Sequence, residues 1–195
     1  EFNSKKIIDI CSAPGGKAFQ NLSLGNKMTL VDINKKRIKI LKNNLNRLKF
    51  KSEILNINAL DISENEYFDV VVLDSPCSGL GTIRRNPEIL FKKNLPDLKK
   101  MNDIQTKLIN KASKLVKKNG ILLYMVCSFL LKETKNIKQI FLENNKHFSQ
   151  LKFKTNKQNI SYKFIDTEGD INCTPSEFNG FMVDGFYAVK FIKND

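Results

Sequence analysis

Ile7-Ile8-Asp9-Ile10-Cys11-Ser12-Ala13-Pro14-Gly15-Gly16-Lys17 is the stretch on which the fold turns. A β-rich apolar run breaks into a Pro-Gly-Gly turn and then into a helix start, the opening of a strand-to-helix crossover unit. Glycines let backbone pass close to a ligand, and a helix N-terminus offers free N–H donors to a polar or negative group. The turn is neither GxGxxG nor GxxxxGK[ST], because Ala18 follows Lys17, so it matches neither a dinucleotide fingerprint nor a P-loop. Taken alone, it is also compatible with a plain tight turn.

Further β-rich runs follow at Met28–Asp32, Glu53–Ile57, Phe68–Asp74, Ile121–Val126 and Gly185–Phe191. Between them lie amphipathic segments. Ile38, Leu41, Leu45 and Leu48 fall at helical spacing behind a possible cap, Asn34, and Met101, Ile104, Leu108, Ala112 and Leu115 repeat the pattern. Gly120 is expected to end that second helix, and a third is predicted from about Glu133 to Asn145. Strands alternating with helices predict an α/β fold with a mostly parallel sheet. No internal repeat or low-complexity linker divides the chain, and 195 residues suit a single domain spanning 1–195.

Ligands of open α/β sheets bind at the carboxyl ends of the strands, so the residues at those ends carry the functional reading. Asp32 ends the second strand sixteen residues past Gly16, where a carboxylate can accept hydrogen bonds from both hydroxyls of a ribose; it can equally cap the next helix. Asn58, after the third strand, would lie across the same crevice, within reach of an adenine edge, unless it serves the turn. The fourth strand ends in Leu73-Asp74-Ser75-Pro76-Cys77-Ser78-Gly79-Leu80-Gly81, which brings a carboxylate, a Pro-stiffened turn and a thiol together. The fifth ends in Cys127-Ser128. Two thiols on neighbouring strand tips, without metal spacing, suggest covalent chemistry; spacing does not say which one attacks.

The net charge is +13, from 33 Lys+Arg against 20 Asp+Glu, and points toward a polyanion. With 29 Lys and 23 Asn but only 4 Arg, much of that excess reads as compositional background. Arg84 and Arg85 are half of the arginine, and their planar forks at the fourth-strand loop suit phosphate better than lysine does. Four Cys at 11, 77, 127 and 173, with no CxxC pair and a single His, predict no zinc site and a reducing, cytoplasmic setting. No apolar run approaches the roughly 20 residues of a membrane span. The first residues do not resemble a signal or transit peptide.

The order Asp-x-Cys-Ser-Ala-Pro-Gly-Gly-Lys, Val-Asp-Ile-Asn-x-x-Arg, Asp-Ser-Pro-Cys-Ser-Gly-x-Gly-x-x-Arg-Arg-Asn-Pro-Glu and Tyr-x-x-Cys-Ser-x-x-x-x-Glu resembles the Sun/RsmB family of RNA cytosine-5 methyltransferases, which use S-adenosylmethionine. The likeness runs from about Lys5 to Lys193 and takes in Asp184-Gly185-Phe186-Tyr187-Ala188. It implies a Rossmann-like class I methyltransferase with a seven-stranded, mostly parallel sheet and helices on both faces. It further implies that Cys11, Ser12, Ala13, Pro14, Gly15, Gly16 and Lys17 wrap the methionine part of the cofactor. Asp32 would then hold the ribose, Asn58 face the adenine, and Asp74 lie beside both cofactor and base. Cys127 would add to C6 of cytosine and Cys77 assist release, with Lys17 near the base and ribosomal or transfer RNA as the partner. DNA cytosine methyltransferases attack from the fourth strand, which keeps Cys77 as an alternative nucleophile. An amino-methyltransferase or a non-catalytic RNA-binding module are the competing functions.

Val126, Asn58 and Thr134 depart from the family pattern of Thr, Asp and Asn. Loss of the charge at Asn58 is expected to weaken cofactor affinity. The family also carries an N-terminal RNA-binding region, and this chain begins almost at the first motif, so a catalytic core lacking that region is expected.

Overall fold

A computed structural model describes residues 5–64, 67–91, 97–154 and 162–194. Its strands are β1 (Lys6–Ile10), β2 (Lys27–Val31), β3 (Glu53–Leu55), β4 (Phe68–Asp74), β5 (Val116–Val126), β6 (Phe148–Gln150), β7 (Ile171–Cys173), β8 (Ser176–Phe178), β9 (Phe181–Val183) and β10 (Phe186–Lys193). Its helices are α1 (Gly16–Ser23), α2 (Lys35–Leu48), α3 (Leu98–Leu115) and α4 (Lys135–Asn144). The main sheet runs β3-β2-β1-β4-β5-β10-β6, parallel from β3 through β5 and antiparallel at β10. That order is the expected seven-position sheet. An eighth strand, β7, shares the outer edge of β10 with β6, and β8 and β9 form a separate hairpin.

Buried strands explain the apolar runs. Val71, Leu73, Leu122 and Tyr124 pack on one face against Leu108, Ile109 and Ala112 of α3 and Ile137 and Phe141 of α4. Ile7, Leu30, Val70 and Val72 pack on the other against Ala18 of α1 and Ile38, Leu41 and Leu45 of α2. Truncating one such side chain, Leu41→Ala for example, empties a fully buried position and costs about 2–5 kcal/mol. Asn34 caps α2 as its position suggested, its side-chain oxygen accepting from the Lys36 and Arg37 amides at 3.0 and 3.1 Å.

Of the boundaries that differ from the sequence-based expectation, two have a clear local form. Gly120 does not end α3: the helix stops at Leu115, and Val116 passes directly into β5 with extended backbone. Lys117–Gly120 lie where the pairing with β4 shifts register, with Asn119 in the left-handed region at φ 59°. Glycine is needed there for space, since a Cβ at 120 would lie 2.8 Å from the Lys117 carbonyl oxygen. The third strand is shorter than expected, ending at Leu55 rather than Ile57.

β1 is paired by β2 on one side and β4 on the other, so the strand order reverses between them. The crevice outside the carboxyl ends of β1, β2, β4 and β5 is the place where this class of sheet binds ligands.

Candidate active site

The loop after β1 is held from several directions. The Ser12 amide donates to the Val31 carbonyl at 2.9 Å and the Ala13 amide to Asp32 Oδ2 at 3.2 Å, while Asn44 reaches the Pro14 carbonyl at 3.3 Å. Gly15 sits at φ 107°, a left-handed backbone that side chains rarely adopt, and a Cβ there would also collide with the Phe19 ring and Leu41. Gly16 opens α1, and Lys17 projects from its first turn to an ion pair with Asp74 at the end of β4.

Asp32 does not cap α2, because Asn34 does. Its carboxylate, only 4% exposed, accepts from the Asn34 amide at 2.8 Å and stands 3.8 Å from the Arg37 guanidinium. It lines a cavity of about 500 Å³ with Cys11, Ile33, Asn58, Pro76 and Leu108. That volume and its mostly apolar walls suit a small ligand of nucleoside size. Asn58 serves the turn, its side chain accepting from the Leu60 amide at 3.1 Å to start the short turn Ala59–Asp61, and it also lines the cavity. Burial, together with the charges of Asp32, Asp9 and Asp74, pushes the Cys11 thiol up to about 12, so it is an uncharged wall rather than a nucleophile.

The other two strand-tip thiols meet. Cys77 Sγ and Cys127 Sγ are 3.3 Å apart although fifty residues separate them in the chain. The hydrogen bond from Cys77 lowers the Cys127 thiol to about 7, with Lys17 acting in the same direction, while burial and Asp74 oppose. Cys77 is pushed well up, first by that same bond, then by burial and the Cys127 charge, with Glu133 adding to the rise. The contact therefore favours the thiolate at Cys127 over one at Cys77, a difference that spacing does not show. Cys173 lies in β7 and is buried.

Gly81 explains how the two loops approach. Its amide donates to the Cys127 carbonyl at 3.1 Å and its carbonyl accepts from the Gly185 amide at 2.7 Å. A Cβ at 81 would lie 2.9 Å from the Cys127 carbonyl oxygen and overlap that of Gly185.

Arg84 and Arg85 are more engaged than their expected phosphate role suggests. Both pair with Asp184, Arg84 Nη2 at 3.1 Å from its Oδ1 and Arg85 Nε against its Oδ2. Their side chains remain 45% and 61% exposed, so part of each guanidinium still faces solvent. Of the departures from the family pattern, Val126 is fully buried in the sheet, and Thr134 Oγ1 donates to the Leu130 carbonyl at 2.9 Å.

Sequence reasoning assigned no role to Asp9. It is 2% exposed, and its Oδ1 has no hydrogen-bond partner among the described residues. Burial, then the charge of Asp74, with Asp32 adding and Lys17 opposing, pushes its carboxyl up to about 8, so it is mostly protonated at neutral pH. The available signal was an acid interrupting Ile7-Ile8-x-Ile10. Asp184 and Glu133 were likewise present in motifs without a role. Among the described residues, no group of His, Cys, Asp and Glu could hold a metal, and no helix is long and apolar enough to cross a membrane.

The family model described as 16S rRNA methyltransferase RsmB/F matches residues 2–192. The chain is 33% identical over 192 residues to ribosomal RNA small subunit methyltransferase B of Shewanella oneidensis, covering 96% of this chain and 42% of that protein. It therefore spans less than half of that relative's length. The crystal structure of PH0851 superposes with a TM-score of 0.86 at 28% identity over 98% of this chain and 43% of the other. NSun6 from Pyrococcus horikoshii with SFG, at TM-score 0.80 and 21% identity, covers 98% of this chain and 48% of its own and shares the fold.

Proposed function

The chain belongs to the RsmB/F family of 16S rRNA methyltransferases, and from that premise we propose that it is the catalytic core of an S-adenosylmethionine-dependent RNA cytosine-5 methyltransferase. Ribosomal RNA of the small subunit, in the cytoplasm, is the substrate this reading favours, since the relatives named for that activity are bacterial. The observation that carries the reading is the pair of sulfurs 3.3 Å apart beside the Lys17–Asp74 ion pair, next to a cavity of nucleoside size.

The residues fit the cofactor. Asp32 offers a buried carboxylate to ribose hydroxyls, the Ile33 and Leu108 walls suit a purine, and Asn58 offers a polar edge. The loop Cys11–Lys17 brings backbone and a helix N-terminus to the methionine end. S-adenosylmethionine supplies an electrophilic methyl group.

On this reading the Cys127 thiolate adds to C6 of the cytosine, which makes C5 nucleophilic enough to take the methyl group. Asp74, held by Lys17, hydrogen-bonds the base edge near N3 and N4 and supports the addition. Once Cys127 is bonded to C6, its charge no longer holds the proton on Cys77, so Cys77 can act as the thiolate that takes up the C5 proton; that loss expels Cys127 from C6 and restores the C5=C6 double bond. A thiol that titrates near neutrality suits the first step, since the thiolate is the nucleophile. A paired base in a duplex is out of reach, so the target cytosine must be unpaired or turned out of its helix. Arg84 and Arg85, at the rim, meet the RNA backbone with the donors that Asp184 leaves.

The test is to incubate the protein with 16S rRNA and methyl-labelled S-adenosylmethionine and to digest the product to nucleosides. Label in 5-methylcytidine is expected; label on an exocyclic nitrogen, or none in the presence of bound cofactor and RNA, overturns the reading.

A further inference from the structure

One buried residue is tied to both sides of the thiol pair, by its carboxylate to the Cys77 loop and by its backbone carbonyl to β5, which leads into Cys127. Glu133 is fully buried just before α4, where its carboxylate meets no cation among the described residues. Its Oε1 accepts from the Ser78 amide at 2.8 Å and from Gln105 Nε2 at 3.2 Å, and its Oε2 from Ser78 Oγ at 2.6 Å. Gln105 Nε2 also donates to the Pro76 carbonyl at 2.9 Å, so Cys77 is bracketed by two neighbours that are both tied to Glu133. On the other loop, Ser128 Oγ lies 3.4 Å from Ser78 Oγ and accepts from the Leu130 amide at 3.2 Å. Tyr124 of β5, three residues before Cys127, donates its hydroxyl to the Glu133 carbonyl at 2.8 Å.

Such an arrangement is costly unless it does something. A buried carboxylate met only by neutral donors sacrifices hydration that a salt bridge would partly restore. An apolar residue would pack the same volume without that cost. Each donor here belongs to, or holds, the backbone on either side of a reactive sulfur, and charge-assisted bonds are about twice as strong as neutral ones.

We infer that Glu133 is the positioning residue of the two-thiol site: it anchors the Cys77 loop against the Cys127 loop and so fixes the approach of the two sulfurs. The inference rests on the roles proposed for Cys77 and Cys127. The groups facing the pair are Glu133 and Tyr124 on the Cys77 side and Asp74 and Lys17 on the Cys127 side. Of these four, Glu133 is the one that binds the loop backbone beside Cys77. While the sulfurs are held together, Cys77 donates to Cys127 and favours its thiolate; once they separate, Cys127 reverts toward an ordinary thiol.

Iodoacetamide alkylation of Cys127, mapped by peptide mass and followed against pH, reads this approach without requiring RNA. Relative to the unmutated protein, Glu133→Ala is expected to slow Cys127 alkylation at pH 7 by about tenfold, the equivalent of one pH unit in its titration. Glu133→Gln keeps the shape, with its oxygen toward the two N–H donors and its amide toward Ser78 Oγ, and is expected to retain the rate within about threefold. Ser78→Ala leaves Glu133 in place, removes the 2.6 Å bond, and covers the case in which Glu133→Ala does not fold; a drop of about threefold is expected. In methyl transfer, the Ala variants should lower kcat and leave the KM for S-adenosylmethionine unchanged. Unaltered alkylation profiles in the folded variants, or Glu133→Gln as slow as Glu133→Ala, would overturn the inference. If the unmutated protein alkylates near pH 7 yet methylates nothing, the proposed function fails while the alkylation series still decides the role of Glu133.

Discussion

Two buried polar clusters in this protein differ in whether their charges are answered. Around Lys138, whose side chain is 6% exposed, Asp170 Oδ2 stands at 2.6 Å and Glu168 completes the pair of anions. Tyr187 donates to Asp170 Oδ2 at 2.7 Å and Gln150 to its Oδ1 at 2.7 Å. The Lys135 and Lys138 hydrogen bonds hold the Glu168 carboxyl down at about 2. At the strand tips, by contrast, Asp9 keeps an oxygen with no partner among the described residues, a thiol titrates near neutrality, and the Lys17–Asp74 pair is partly open to solvent. The first cluster ties α4 to β7 and β10 and uses its polarity for the fold. The second leaves polar capacity unused in the folded chain, as the proposed reaction would require of it.

The sharpest way to break this contrast is Lys138→Met, which strips the cation from a fully buried Asp170. A stability loss of about 3–5 kcal/mol is expected in denaturant titration. A loss under about 1 kcal/mol would mean that the cluster behaves as a surface pair and that the comparison fails.

Asp9→Asn is expected to act with the opposite sign. The folded carboxyl titrates near 8 and the unfolded one near 3.8, so the folded chain keeps a proton that the unfolded chain has already lost. Stability contributed by the protonated form is full below about pH 4 and fades as pH rises toward 8. Asparagine has no such proton to lose, so the stability of the variant relative to the unmutated protein should rise between pH 5 and pH 8, by about 1–3 kcal/mol. Parallel melts at the two pH values measure this; a relative stability that falls with pH contradicts it. Smallest of all, Arg85→Gln should cost under about 1 kcal/mol of stability, since its pair with Asp184 is largely exposed. The same change should flatten the salt dependence of binding to 16S rRNA by roughly one phosphate contact. An unchanged slope would leave Arg85 with Asp184 alone.

Local patterns carried most of the fold. Apolar runs and helical spacing located the five parallel strands and three of the helices, and Asn34 was legible as a cap because capping needs only its neighbours. Gly120 misled because a glycine after a helical pattern looks the same whether it ends a helix or fills a tight register shift in a strand. The site was legible as a set of residue types at strand tips, but its pairings were not. Cys77 with Cys127, Arg85 with Asp184 and Ser78 with Glu133 join residues 50 to 99 positions apart, which only the sheet order brings together. Asp9 shows the same limit: an acid among isoleucines is visible in the chain, but the isolation of its Oδ1 among the described residues is not.

On the proposed mechanism Cys127 attacks and Cys77 releases. The most direct measurement of these roles is the denaturation-resistant adduct formed with 16S rRNA in the presence of S-adenosylmethionine by Cys77→Ala and Cys127→Ala. Accumulated adduct in Cys77→Ala and none in Cys127→Ala is the expected result; adduct in Cys127→Ala and none in Cys77→Ala would contradict it.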